Sequence, residues 1–180
     1  MSADAEDLWR FAVALHARSG VETACLALQD EAGVDVPMLL FAAWAASHRG
    51  AKVDLELLED LNQRVSPWRE SVIRPLRTVR RTMKSSQPPH RDLDKAAAEL
   101  RSRIKTVELE AERLSLDALA LHAQLPTELP LGQPGSRSDV LAALRAVVDL
   151  AGAGLSESWR DKHLAAIADS VPSTEDSPTL

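Results

Sequence analysis

The sequence predicts an all-α protein, a helical bundle of about eight helices in which one is long. Three observations predict it. Apolar residues recur at alternating steps of four and three, at Leu93, Ala97, Leu100, Ile104, Val107, Ala111, Leu114, Ala118, Leu121 and Leu125. That is the heptad spacing of a helix packed along a seam. Met38 to Ala46 is a run of nine apolar residues, as in a helix buried on every side. Hydrophobic residues make 45% of the chain, yet aromatics make 3% and Tyr is absent. The apolar content is therefore largely Ala and Leu, which favour helix over strand.

Taken in order, the first helix is expected from about Ala5 to Ala17, with Leu8, Phe11, Ala12 and Leu15 inward and Asp4, Glu6 and Asp7 near its positive end. Ser19-Gly20 stops it. A second runs from Val21 to Ala32 and stops at Gly33. A third starts after Asp35, with Pro37 in its first turn, where the missing N–H does no harm; it ends at His48-Arg49-Gly50. A fourth follows Asp54 to about Val65, with Leu55, Leu58 and Leu61 inward. Ser66-Pro67 opens a fifth, Trp68 to Lys84, which Pro75 should kink or divide. Residues 85–90 read as a linker and lead into the long helix, which Pro126 ends. No Pro or Gly interrupts residues 93–125, so at ~1.5 Å per residue this helix would be about 50 Å long.

A Pro- and Gly-rich connection over 126–135 follows the bundle of residues 1–125. A C-terminal helical hairpin over 136–171 comes next. Ser136 or Ser138 caps its first helix, Ser156 its second, and Gly152-Ala153-Gly154 lies between them. Residues 172–180 read as a disordered tail.

In the long helix Leu93, Leu100, Val107, Leu114 and Leu121 form one apolar line. Ala97, Ile104, Ala111, Ala118 and Leu125 form the other. The flanking Arg101, Arg103, Glu108, Glu110 and Asp117 are basic first and acidic later, an order that suits an antiparallel partner. The seam is expected to pack on helices of the same chain, or in part on a second copy or another protein. Leu109, Leu116 and Leu119 lie off it, so more than one face should be buried.

A length of 180 residues fits one domain, or one with an appendage. A net charge of −6 argues against nucleic-acid binding by the molecule as a whole. The single Cys25 cannot form an internal disulfide and reads as a small buried hydrophobe. The acidic N-terminus lacks the basic region of a signal peptide, and no apolar run reaches about 18 residues. A cytoplasmic location is expected.

Catalytic signatures are absent from the sequence. The five His residues form no i, i+4 pair, and there is no zinc-site spacing, GxSxG, P-loop or GxGxxG. No metal and no cofactor are expected. Two clusters remain. Gln29, Asp30, Asp35, Trp44 and His48 sit on or beside apolar helices, where a carboxylate against an apolar wall could act as a base. The plainer reading has Asp35 capping, Gln29 and Asp30 holding the turn, and Trp44 filling the core. The second cluster, residues 69–84, sets six cations against one carboxylate. Arg74, Arg77, Arg80, Arg81 and Lys84 make it a candidate surface for an anion, RNA or an acidic partner. Its plainer reading is pairing with the acidic fourth helix or with Glu108, Glu110 and Glu112. No aromatics are interleaved for base stacking.

The ordered set Leu8-Trp9, Phe11-Ala12, Gly20-Val21-Glu22, Cys25 to Asp30, Gly33 to Val36, Leu39-Leu40-Phe41, Trp44 and Gly50 resembles a family of short proteobacterial conserved hypothetical proteins, a domain of unknown function. Pro67-Trp68-Arg69, Pro75-Leu76-Arg77, Arg80-Arg81, Lys84 and Glu108 to Glu112 are similar to it too. The likeness covers roughly residues 8–114. It implies a bacterial, cytosolic origin and lends no activity and no catalytic residue. The leading expectation is a non-enzymatic protein-interaction module that uses the arginine face, the seam or both, on an unknown partner or on itself. The alternatives are an enzyme or small-ligand binder with a pocket between helices two and three, and an RNA-associated protein.

Overall fold

A computed structural model describes residues 2–123, 125, 135–152 and 154–171. The fold is all-α. Its helices are α1 (Ala3–His16), α2 (Val21–Ala32), α3 (Val36–Arg49), α4 (Leu55–Trp68), α5 (Arg74–Ser85), α6 (Asp94–Ala123), α7 (Arg137–Ala151) and α8 (Glu157–Ala168). A π-helical segment, Arg69–Ile73, joins α4 to α5 without a break, so the described residues carry seven separate helical rods rather than eight. The chain divides into two compact units, Met1–Asn62 with Leu116–Leu180, and Gln63–Ser115. The divisions fall inside α4 and inside α6.

In unit 1, α3 is the central rod. Eleven successive residues, Pro37 to Ser47, are buried on it. It packs on α7 and α1, while α2 packs on α8. The C-terminal hairpin of α7 and α8 packs into this core. The helix ends follow local chemistry. Ser2 accepts from the Ala5 amide at 3.2 Å to cap α1. Gly33, at φ +66°, closes α2 in the left-handed conformation. Its amide bonds back to the Gln29 carbonyl, and Val34 N–H reaches the Leu28 carbonyl. Ser136 and Asp139 form a reciprocal capping box on α7, and Ser156 caps α8. Cys25 is buried, and burial pushes its thiol up to about 12.

Gly135 is a close-approach glycine. Its amide donates to the Ser47 carbonyl at 3.0 Å, one of the last four carbonyls of α3, which lack a partner inside the helix. A Cβ at Gly135 would lie 2.0 Å from the Ala46 carbonyl oxygen. Most of the Pro- and Gly-rich connection, residues 126–134, and the expected tail, residues 172–180, lie outside the described residues.

Unit 2 is an antiparallel helical hairpin. The end of α4, the π segment and α5 form one arm; a 3-10 turn, Arg91–Leu93, and α6 as far as Ser115 form the other. Instead of the expected break at Ser66-Pro67, Pro67 lies inside α4. Pro67 and Pro75 both lack the amide of the helical ladder. Between them the backbone widens: the Arg74 amide donates to the Arg69 carbonyl, five residues back, and Ser71 Oγ donates to the Pro67 carbonyl at 2.6 Å. Leu55, expected inward, is exposed, while Leu58, Leu61 and Val65 are buried.

The long helix differs from expectation in what it buries. In unit 2 its covered line is Ala97, Arg101, Ile104, Glu108, Ala111 and Ser115, half-buried at first and buried from Glu108 onward. The expected leucine line is bare. Leu93, Leu100, Val107 and Leu114 are between 44% and 56% exposed, and Leu121 is exposed as well. Leu116 and Leu119 are buried in unit 1, whereas Leu109 is exposed. No helix among the described residues is long and apolar enough to cross a membrane.

Candidate functional site

The two arms of unit 2 are held by charge. Arg77 Nε donates to Glu108 Oε1 at 3.1 Å, and its Nη2 reaches Glu112. Arg80 grips both oxygens of Glu108, through Nη2 at 3.1 Å and through Nε. Glu108 is only 4% exposed. Burial alone would raise its carboxyl. The hydrogen bonds from Arg80 and Arg77 more than offset that and hold it below the ordinary value of 4.5. Arg80 in turn is raised, chiefly by its hydrogen bond to Glu108. Trp68 Nε1 donates to the Ala111 carbonyl at 3.0 Å and Arg101 Nε to the Arg80 carbonyl at 3.4 Å, extending the clamp along both arms.

This clamp fixes which apolar line stays open. Glu108 must lie under α5 to meet Arg77 and Arg80. Ala111, about one turn away on the same line, and Ala97, about three turns away, are small enough to let the arms approach. Val107, one residue before Glu108, is then turned about 100° off the contact. Leu100 and Leu114 are turned with it, and the result is a straight apolar ridge at heptad spacing on a rigid helix.

The sequence-predicted arginine face is thus divided. Arg77 and Arg80 point to Glu108 and Glu112. Arg74 Nη1 bonds Glu70 at 2.8 Å on the surface, and Arg81 and Lys84 are exposed.

The predicted pocket residues do not assemble. Gln29, Asp30 and Asp35 stand at the α2–α3 turn, where Asp35 occupies the N-cap position with extended backbone. Trp44 and His48 lie near the other end of α3. Asp35 and His48 are thirteen residues apart, about 20 Å along the rod.

What gathers at that far end is a clasp that the sequence reading missed. Trp44 Nε1 donates to Asp7 Oδ2 at 2.9 Å. Arg49 pairs with Asp4 and lies over the Trp44 ring, 5.0 Å from its centroid. His48 bonds Ser47 Oγ through Nδ1 at 2.9 Å and meets the Phe11 ring edge-on at 4.8 Å. The available signal was a first turn rich in carboxylates, on a helix that could run antiparallel to one ending in His-Arg. The sequence reading assigned those carboxylates to the helix dipole. Burial lowers the His48 imidazole; Asp7 opposes this and Arg49 adds to it. The clasp turns its hydrogen bonds inward and ties α1 to α3. Among the described residues no group of three or more His, Cys, Asp or Glu could hold a metal ion.

No curated protein and no solved structure matches the chain. A family model described as a protein of unknown function, DUF2390, matches residues 7–119, which takes in most of α1, all of α2 to α5 and most of α6. The chain belongs to the DUF2390 family, and the matched residues include Arg77, Arg80 and Glu108 of the clamp and Leu93, Leu100, Val107 and Leu114 of the ridge.

Proposed function

We propose that the protein is a non-enzymatic interaction module whose contact surface is the ridge Leu93, Leu100, Val107 and Leu114. One observation carries this reading: three large apolar side chains, Leu100, Val107 and Leu114, each about half exposed, recur every seven residues on α6, and Leu93 continues the spacing in the turn before it. Scattered exposed leucines are ordinary, but a continuous line at coiled-coil spacing is the signature of a surface that expects another helix. Arg77 and Arg80, which an arginine-face reading would use, are already committed to Glu108 and Glu112. The ridge is therefore the better candidate. We place the module in the cytoplasm, where a lone buried Cys25 is at home.

A photo-crosslinking amino acid in place of Val107, in living cells, tests the reading. The expected result is a discrete adduct at Val107 that Leu100→Glu with Leu114→Glu abolishes. Absence of any adduct would end the proposal.

A further inference from the structure

We propose, resting on the ridge as the contact surface, that its occupant is a second copy of this chain. The hairpins of two copies would pack antiparallel as a four-helix bundle, on a two-fold axis at the level of Val79 and Val107. Three features of unit 2 converge on this.

The first is the side on which Val79 lies. Arg80 and Glu108 mark the contact line between the arms. Val107 precedes Glu108 by one residue, and Val79 precedes Arg80 by one. In an antiparallel hairpin, positions displaced in the same sense from the contact line share a side. Val79, 48% exposed, therefore stands beside Val107 on the open face. It is also level with Val107, because Arg77 and Arg80 on either side of it both reach Glu108.

The second is symmetry. An antiparallel copy centred on Val107 sets Leu100 against Leu114 of the second copy, and Leu114 against its Leu100. Val107 and Val79 each meet their own equivalents. This is a closed, self-complementary contact, and four helices around one core is a stable arrangement for two such hairpins.

The third is charge. Arg103 and Glu110 are exposed, beside the ridge on the flank away from α5. Antiparallel pairing brings this flank against its equivalent, with Arg103 facing Glu110 of the second copy twice over. Parallel pairing would instead turn it toward the side that α5 already covers.

Sedimentation of the full chain across a hundredfold concentration range tests the proposal. The wild type should reach twice the monomer mass. Arg103→Glu alone and Glu110→Arg alone should each weaken association at least tenfold, since each sets like charges face to face. An equimolar mixture of the two should restore it. With Cys25→Ala as background, Val79→Cys and Val107→Cys should each crosslink to themselves. Leu100→Cys should crosslink to Leu114→Cys and not to itself. A single monomer mass throughout, a mixture no better than its parts, or Leu100→Cys bonding to itself would overturn the proposal. A monomeric wild type that still gives a Val107 adduct to a different protein would overturn the second copy and leave the interaction module standing. No adduct of any kind would remove both.

Discussion

Glu108 shows how much one side chain decides. It is a carboxylate held almost out of water by two arginines, and such a group destabilises strongly once its partners or its charge are lost. Glu108→Ala leaves Arg77 and Arg80 turned inward with Glu112 as the remaining carboxylate nearby. The expected loss is about 3 kcal/mol, the low end for breaking a buried ion pair, read by urea unfolding followed by circular dichroism. The pH dependence has a fixed sign. The folded carboxyl lies below the ordinary 4.5, so its contribution is complete above that pH and fades as pH falls through the folded value. His48 acts the same way at higher pH. Its folded imidazole is lowered from 6.5, so the unfolded chain takes up the proton first. Stability should therefore fall as pH drops below 6.5, and His48→Gln should flatten that fall in melting curves taken between pH 5 and 7.5. Ser115 offers the opposite case. It is 1% exposed, and its hydroxyl lacks a hydrogen-bond partner among the described residues. Ser115→Ala should raise stability by about 1 kcal/mol through removal of an unsatisfied buried group, measured by the same unfolding curves.

The helices themselves were largely legible in the sequence, because capping residues and left-handed glycines are local signals. Val21 to Ala32 and the helix after Asp35 are where the sequence puts them. Residues 55–85 were harder. Ser66-Pro67 is a good opening signal for a helix, yet α4 runs through it, and the π segment that then joins α4 to α5 is not announced by the sequence. The ridge shows a different limit. Two lines on α6 repeat every seven residues, one through Leu100, Val107 and Leu114 and one through Arg101, Glu108 and Ser115. Periodicity cannot choose between them; the arginines of α5 do. The predicted pocket residues stand apart because adjacency in sequence ignored the length of α3. The clasp of Asp4, Asp7, Trp44 and Arg49 escaped because it depends on how α1 lies across α3. Gly135 belongs to this scale too, since its amide joins the start of α7 to the Ser47 carbonyl in the last turn of α3. Gly135→Ala would drive a methyl into the Ala46 carbonyl. The loop must move or the Ser47 bond must break, at roughly 2 kcal/mol. A lowered melting temperature with unchanged helix content checks this; an unchanged one would mean that the contact is not needed.

For the whole molecule, the uneven share of buried apolar side chains governs how it opens. Unit 1 draws its core from α1, α2, α3, α7 and α8, with Leu58 and Leu61 of α4 and Leu116 and Leu119 of α6. In unit 2 the buried apolar residues are Val65, Ile73 and Ala111. So small a core supplies little against the conformational entropy of ordering two long arms, roughly 1–2 kcal/mol per residue for the backbone alone. The Arg77–Glu108–Arg80 clamp selects how the arms meet more than it stabilises them, because its desolvation offsets much of its attraction. Unit 2 should therefore be the less stable part and open without unit 1. In native-state hydrogen exchange, amides of α5 and of α6 up to Ser115 should exchange through a smaller opening free energy than those of Leu40 to Ala46. If a second copy covers the ridge, association adds stability to unit 2 by mass action. Protection of Leu100 to Leu114 should then rise with protein concentration while that of α3 stays constant. Equal protection in both units would show that they open as one. Protection of the ridge that is indifferent to concentration would show that its apolar face is not covered by its own kind.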